Sequence, residues 1–183
     1  QTWRSLTLPS QSDTRNGVTW LDVYKSYDVI SPWTVGTVGN LADLESSKNN
    51  LLVKDLEEIE KMDPKPDYMP VGFPGFSWNN LYGDDLNQIP RLGGQFLWQQ
   101  AYNAKTSGAN MMYLAMFDEV DEATALYKTA PTMYECPDRL GWVTLDIDGF
   151  PLPSDYYLQV SGMINDMFKG DLSVTVEDLP LLE

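Results

Sequence analysis

Apolar positions along the chain fall into two kinds of run. Short, nearly continuous stretches at Asp28–Trp33, Asp67–Phe73, Asn110–Phe117 and Gly141–Ile147 predict buried strands. Between them the apolar residues recur at helical spacing. Leu52, Leu56, Ile59 and Met62 mark a helix from about Ala42 to Met62, with Glu57 and Lys61 paired on its wet face and Pro64 and Pro66 ending it. A second helix runs from Gly93 and Gly94 to about Thr106, where Gly108 stops it. A short one is predicted over Glu122–Lys128. The last is capped by Ser154 or Asp155, presents Tyr157, Val160, Ile164 and Met167 or Phe168, and closes at Gly170.

Strand then helix, repeated, implies right-handed parallel βα units. The expected fold class is α/β, and four units are half of a (β/α)8 TIM barrel, which takes about 250 residues. An open doubly wound sheet is the alternative, but no Gly-x-Gly-x-x-Gly or Walker-type phosphate loop is present to serve it. Residues 1–170 form the expected unit, and 171–183 a tail or linker whose alternating patch Leu172–Val176 has the pattern of an extra strand. Met111, Tyr113, Leu114, Ala115, Met116 and Phe117 are expected to be buried in a central strand, as in sheets covered on both faces. An open half barrel has two raw edges, so Val29–Pro32 and Val143–Ile147 are expected to pair with another polypeptide supplying the first half.

Composition narrows the chemistry. The chain carries 12 Lys and Arg against 27 Asp and Glu, a net charge of −15. That balance argues against nucleic acid and against an anionic membrane surface. There is no histidine, which removes His-dependent triads, the two-His zinc helix and His-ligated haem. The single cysteine, Cys136, makes no internal disulfide, and without a base beside it reads as an inert thiol or a tether. Asp146, Asp148 and Asp155 do not fit a twelve-residue calcium loop, since Phe150 stands where a ligand is needed. No metal or other cofactor is expected. No apolar run reaches the roughly 18 residues of a membrane helix, so no membrane insertion is expected. No signal peptide opens the chain, and its start at Gln1 without an initiator Met reads as a chain cut from something longer.

In a βα barrel the site lies at the C-terminal ends of the strands. Strand one ends at Trp33. Strand two runs into Phe76, Ser77, Trp78 and Asn79. Strand three ends in Asp118-Glu119-Val120-Asp121-Glu122, four carboxylates in five positions. Their mutual repulsion calls for solvent, a ligand or a raised pKa to relieve it. Glu119 and Glu122, three apart, fall on one side of a turn, the arrangement a glycosidase needs. The alternative is an acidic first turn of the helix that follows, favoured by its dipole. The tryptophans likewise read either as sugar platforms or as core, with Trp78, in a Gly/Ser/Asn-rich loop, the best platform and Trp98 a packing residue.

The segments Val29–Gly36, Tyr68–Asn79, Asn87–Gly94, Ala115–Ala125 and Leu152–Leu158, in this order, resemble glycoside hydrolase family 71/99-like proteins. The resemblance covers about residues 3 to 165 and implies the later half of a (β/α)8 barrel. It implies a retaining α-glycosidase, endo-α-mannosidase-like or α-glucanase-like, with a Glu-x-x-Glu pair after a late strand. By position Glu119 is then the base on the sugar 2-hydroxyl and Glu122 the acid/base. Trp33, Phe76, Trp78, Asn79, Arg91, Asp118 and Asp121 become substrate-binding candidates, with a polysaccharide or glycan as partner and an extracellular or secreted setting. The mannosidases carry Trp-His between the two Glu where this chain has Val120-Asp121. A second reading keeps the barrel without turnover, as a carbohydrate-binding or structural extracellular component.

Overall fold

A computed structural model describes residues 14–15, 18–19, 21–138, 141–171, 173 and 175. Two short strands, β1 (Thr14–Arg15) and β2 (Val18–Thr19), pair antiparallel, and α1 (Leu21–Tyr24) follows.

The candidate site rests on three parallel strand segments laid side by side in chain order. β3 (Val29–Ile30) pairs with β4 (Asp67–Tyr68), and two residues further on β5 (Val71–Gly72) pairs with β6 (Tyr113–Leu114). One stretch of chain, 67–72, therefore serves both neighbours: Met69 N–H donates to the Ile30 carbonyl at 2.9 Å, and Ala115 N–H donates to the Gly72 carbonyl at 2.8 Å. A helix follows each strand. After β3 come α2 (Leu41–Ser47), a π-helical turn (Lys48–Leu52) and α3 (Val53–Ile59). After β5 come the one-turn α4 (Asn79–Tyr82), a 3-10 turn (Leu92–Gly94) and α5 (Gln95–Thr106). After β6 and a long connection comes α6 (Tyr156–Lys169). The core divides accordingly. Tyr24, Ile30, Ile59, Met62 and Tyr68 pack under the first helix pair. Val71, Phe73, Phe76, Phe96 and Ala115 pack between strands and α5, and Trp98, Leu126, Leu145, Tyr157 and Val160 between α5 and α6.

Several expectations are corrected. The described residues hold three βα units, not four, because Gly141–Ile147 is not a strand. Thr144 donates its hydroxyl to the Asp146 carboxylate at 2.7 Å, and Ile147 and Gly149 N–H turn back to Thr144 and Asp146 carbonyls, so the segment curls instead of extending. The pairing expected at Val143–Ile147 falls with it, while Val29–Ile30 has β4 on one side. The helix over 42–62 is interrupted by the π turn, and its ion pairs are Glu45–Lys48, Lys54–Glu57 and Glu58–Lys61 at i,i+3, in place of Glu57–Lys61. The β6 region is less covered than predicted. Ala115 is fully buried, but Met111, Leu114 and Met116 are half-buried, Tyr113 is 40% exposed and Phe117 63% exposed. Two-sided burial needs a further layer or strand beyond β6, and none is found among the described residues. The last helix follows its predicted bounds and face, closed by Gly170 at φ 86°. Of the tail, only 171, 173 and 175 are described, so the extra-strand pattern at Leu172–Val176 otherwise lies outside the described residues. No described helix is long and apolar enough to cross a membrane.

Candidate active site at the strand ends

Three connections leave the C-terminal ends of the parallel strands and meet over the middle core. Trp33 follows β3, Phe76 and Trp78 follow β5, and Met116 follows β6; Phe76 is buried, and Trp33, Trp78 and Met116 pack against its cluster half-buried. The Phe76 and Trp78 ring centroids are 4.3 Å apart at a 55° tilt, and Tyr82 extends the aromatic row 5.4 Å from Trp78. The chain can bring Phe76 this close because it doubles back: Phe76 and Ile89 exchange both backbone hydrogen bonds, and Gly75 passes against Arg91 with no room for a Cβ. Gln88 accepts the Trp78 N–H at 2.7 Å and fixes the loop.

The acidic connection after β6 is a closed loop, not the start of a helix. Met116 N–H donates to the Thr124 carbonyl, and Leu126 N–H returns to the Met116 carbonyl, both at 3.0 Å. Inside it the Glu119 carboxylate accepts the Glu122 N–H with both oxygens, at 2.9 and 3.1 Å, and the Thr124 hydroxyl at 2.7 Å. A side chain that accepts the N–H three residues on is the pattern of a helix N-cap, but here no helix follows it. Ala123 then turns with φ 58°, which breaks the Glu122–Lys128 helix predicted from the sequence. The Glu122 carbonyl accepts the Ser77 N–H at 2.8 Å, so the loops of strands two and three are joined directly, at the residue before Trp78.

Electrostatics separate the carboxylates. Glu119 and Glu122 are half-buried, while Asp118 and Asp121 are exposed. Burial, and then the charges of Glu119 and Asp121, push the Glu122 carboxyl above the ordinary glutamate value.

The remaining candidates have other surroundings. Asn79 donates its amide to the Asp84 carbonyl at 2.6 Å, within its own loop. Arg91 is only 3% exposed; its Nη2 donates to the carbonyls of Ala123 and Ala125 at 2.9 and 3.0 Å, and its guanidinium lies 4.6 Å over the Tyr157 ring. It clamps the far side of the acidic loop, and burial lowers its pKa. Asp148 is half-buried and ties Asn87 Nδ2 and Leu92 N–H at 2.6 and 2.9 Å. Sequence reasoning missed Ser77, Thr124 and Asp148 as parts of this frame. Nothing local marks Thr124 or Ser77, since each acts on a residue of another segment or turn. The described residues contain no cluster of three or more metal-ligating side chains.

No family model matches the sequence, and no curated protein matches it. Among solved structures, two of the GH99 endo-alpha-mannosidase from Bacteroides thetaiotaomicron, one of them in complex with BIS-TRIS-propane, are similar at a TM-score of 0.60 and 18% sequence identity. The match covers 78% and 80% of this chain but only 41% and 40% of those chains. This chain therefore spans about 40% of the length of the structures it matches. At that identity the likeness concerns the fold alone: the fold is GH99-like, and three parallel βα units are compatible with part of a (β/α)8 barrel.

Proposed function

We propose that the chain belongs to a retaining glycosidase that cleaves α-linked glycans, with Glu122 as acid/base and Glu119 as base. The observation that carries this reading is Glu122 itself. It is a half-buried carboxyl, pushed toward its protonated form, beside a second carboxylate at the end of a parallel strand. A general acid needs a proton at working pH, and burial beside like charge is how a carboxyl keeps one.

In the reaction Glu119 takes the proton of the sugar 2-hydroxyl. The 2-oxygen attacks the anomeric carbon, the glycosidic bond breaks, and Glu122 gives its proton to the leaving oxygen. Water then opens the 1,2-anhydro sugar at the anomeric carbon, Glu122 taking its proton and Glu119 returning one to the 2-oxygen. Trp33, Phe76 and Trp78 supply the aromatic wall, and Asn79, Asp118 and Asp121 the polar rim. α-Mannan is the substrate class this route fits, because the 2-hydroxyl of an α-mannoside lies trans to the bond that breaks; in α-1,3-glucan the two are cis, so cleavage there requires direct attack by a carboxylate or water in place of the 2-oxygen. A further polypeptide or segment supplies the rest of the barrel, and the setting is extracellular.

One observation favours the non-catalytic alternative: Glu119 spends both oxygens inside its own loop. The test is to score binding and cleavage separately on α-mannan, α-1,3-glucan and high-mannose oligosaccharides with the complete protein. Glu122→Gln is expected to keep binding and lose about 10²–10⁴-fold in turnover. Binding without cleavage by the wild type establishes the alternative, and turnover unchanged in both Glu119→Gln and Glu122→Gln overturns the catalytic roles of the two carboxylates.

A further inference from the structure

Beyond the Trp33–Phe76–Trp78 cluster, and sharing no residue with it, lies a cavity of ≈ 170 Å³ on the other flank of the acidic loop. Buried Arg91 is among its lining, Tyr127 and Trp142 contribute aromatic walls, and Lys128, Glu135 and Cys136 also line it. Arg91 is buried, yet its Nε and Nη1 have no hydrogen-bond partner among the described residues, and no described carboxylate forms an ion pair with it. Asp148 is committed to Asn87 and Leu92. A buried guanidinium with unfilled donors is costly unless an acceptor, above all an anionic one, comes to meet it. At the exposed mouth Lys128 and Glu135 carry opposite charges and Asp138 accepts from Trp142 Nε1 at 2.8 Å, while Asp148 and Tyr157 lie near enough to act on the guanidinium without filling its Nε and Nη1.

We propose that this cavity binds the carboxylate of a sugar acid, a uronic-acid unit of the glycan, with Arg91 donating to the carboxylate and Trp142 or Tyr127 against the ring. The anion site rests on the cavity and on Arg91; its sugar character rests on the glycosidase reading of the chain. Aromatic walls with a few convergent polar donors are the usual make-up of a small-molecule pocket.

The test titrates the full chain with glucuronate, glucose and cyclohexanecarboxylate at neutral pH. Glucuronate and glucose differ only in the carboxylate, so glucuronate is expected to bind at least about tenfold tighter, the scale of a hydrogen bond to a charged group. Arg91→Gln is expected to reduce that ratio to near one. Because Arg91 also clamps a loop, the wild type carries an independent readout: Cys136, the single cysteine, lines the cavity, so glucuronate is expected to slow its alkylation while glucose at the same concentration does not. Equal binding of glucose and glucuronate, binding of neither, or unprotected Cys136 overturns the proposal. Cyclohexanecarboxylate binding as tightly as glucuronate overturns the sugar character. None of these readouts needs turnover, so failure of the Glu119/Glu122 assignment leaves the glucuronate-to-glucose ratio where it was.

Discussion

The backbone N–H of Glu122 points at the carboxylate of Glu119, 2.9 Å from one oxygen and 3.1 Å from the other. The two acidic residues are thus coupled through a backbone bond as well as through charge, and the turn that separates them is built by one of them. Thr124 completes the arrangement with its hydroxyl 2.7 Å from Glu119 Oε2. Thr124→Val keeps the shape of a fully buried side chain and removes that donor. The expected result is a stability loss of about 1 kcal/mol by denaturant titration. On the glycosidase reading Thr124 is a positioning residue, so kcat falls while KM stays within about a factor of two. A fall in stability with kcat unchanged would leave Thr124 a loop fastener only.

Glu122 also gives a pH dependence with a definite sign. Its folded-state pKa lies above the unfolded value, chiefly through burial. The folded protein therefore holds this proton more tightly, and the contribution is present below the unfolded pKa and lost as pH rises through the folded one. Glu122→Gln cannot ionise. The variant is expected to gain stability relative to wild type as pH rises out of the ordinary glutamate range toward neutrality. The gain is small, because the group is only half-buried and solvent screens it. Parallel melting curves from acid to neutral pH check it; a constant difference across that range contradicts the assigned cause.

Periodicity made the regular elements legible where local preference and packing agree. The α6 face of Tyr157, Val160, Ile164 and Met167 is buried as the spacing requires, and Gly170 ends it in the left-handed conformation. Legibility failed where the chain turns back on itself. Val143, Leu145 and Ile147 look like a strand, but the Thr144–Asp146 bond curls them. Glu122–Lys128 looks like a helix, but Ala123 turns the chain at φ 58° and Thr124 and Leu126 bond back to Met116. That the strand ends bearing Trp33, Trp78 and the acidic loop come together was legible in the sequence. Arg91 shows what was not: its burial and its hold on Ala123 and Ala125 depend on residues more than thirty positions away, which no local pattern encodes.

Tyr68 and Asp55 test the first helix pair. Asp55 is fully buried on α3, and the Tyr68 hydroxyl donates to its Oδ2 at 2.9 Å. Burial, followed by the charge and hydrogen bond of Asp55, holds the Tyr68 pKa well above its ordinary value, so the phenol stays a donor. Tyr68→Phe keeps the ring and removes that donor from a buried acceptor. A loss of about 1–3 kcal/mol in unfolding free energy is expected. A loss below about 0.5 kcal/mol would mean that Asp55's other contacts suffice without Tyr68.

Gly75 tests how the strand-two loop sets both faces of the site. A Cβ built there would stand 2.7 Å from Arg91 Cγ and 2.8 Å from the Ile89 carbonyl oxygen. The arginine stem could yield, but the carbonyl belongs to the backbone pair that Ile89 makes with Phe76. Gly75→Ala must therefore either open that pair or move Arg91. Overpacking of this kind typically costs about 1–3 kcal/mol. Moving Arg91 frees the Ala123 and Ala125 carbonyls, while opening the pair releases Phe76 from its contact with Trp78. Two spectroscopic readouts separate the routes. Displacement of Trp78 changes near-UV circular dichroism, and loosening of the 116–126 loop speeds amide exchange at Leu126, whose N–H donates to the Met116 carbonyl. At least one of the two changes is expected together with the stability loss. A Gly75→Ala protein with wild-type stability and neither signal altered would show that the close approach of Gly75 to Ile89 is not what holds the two loops together.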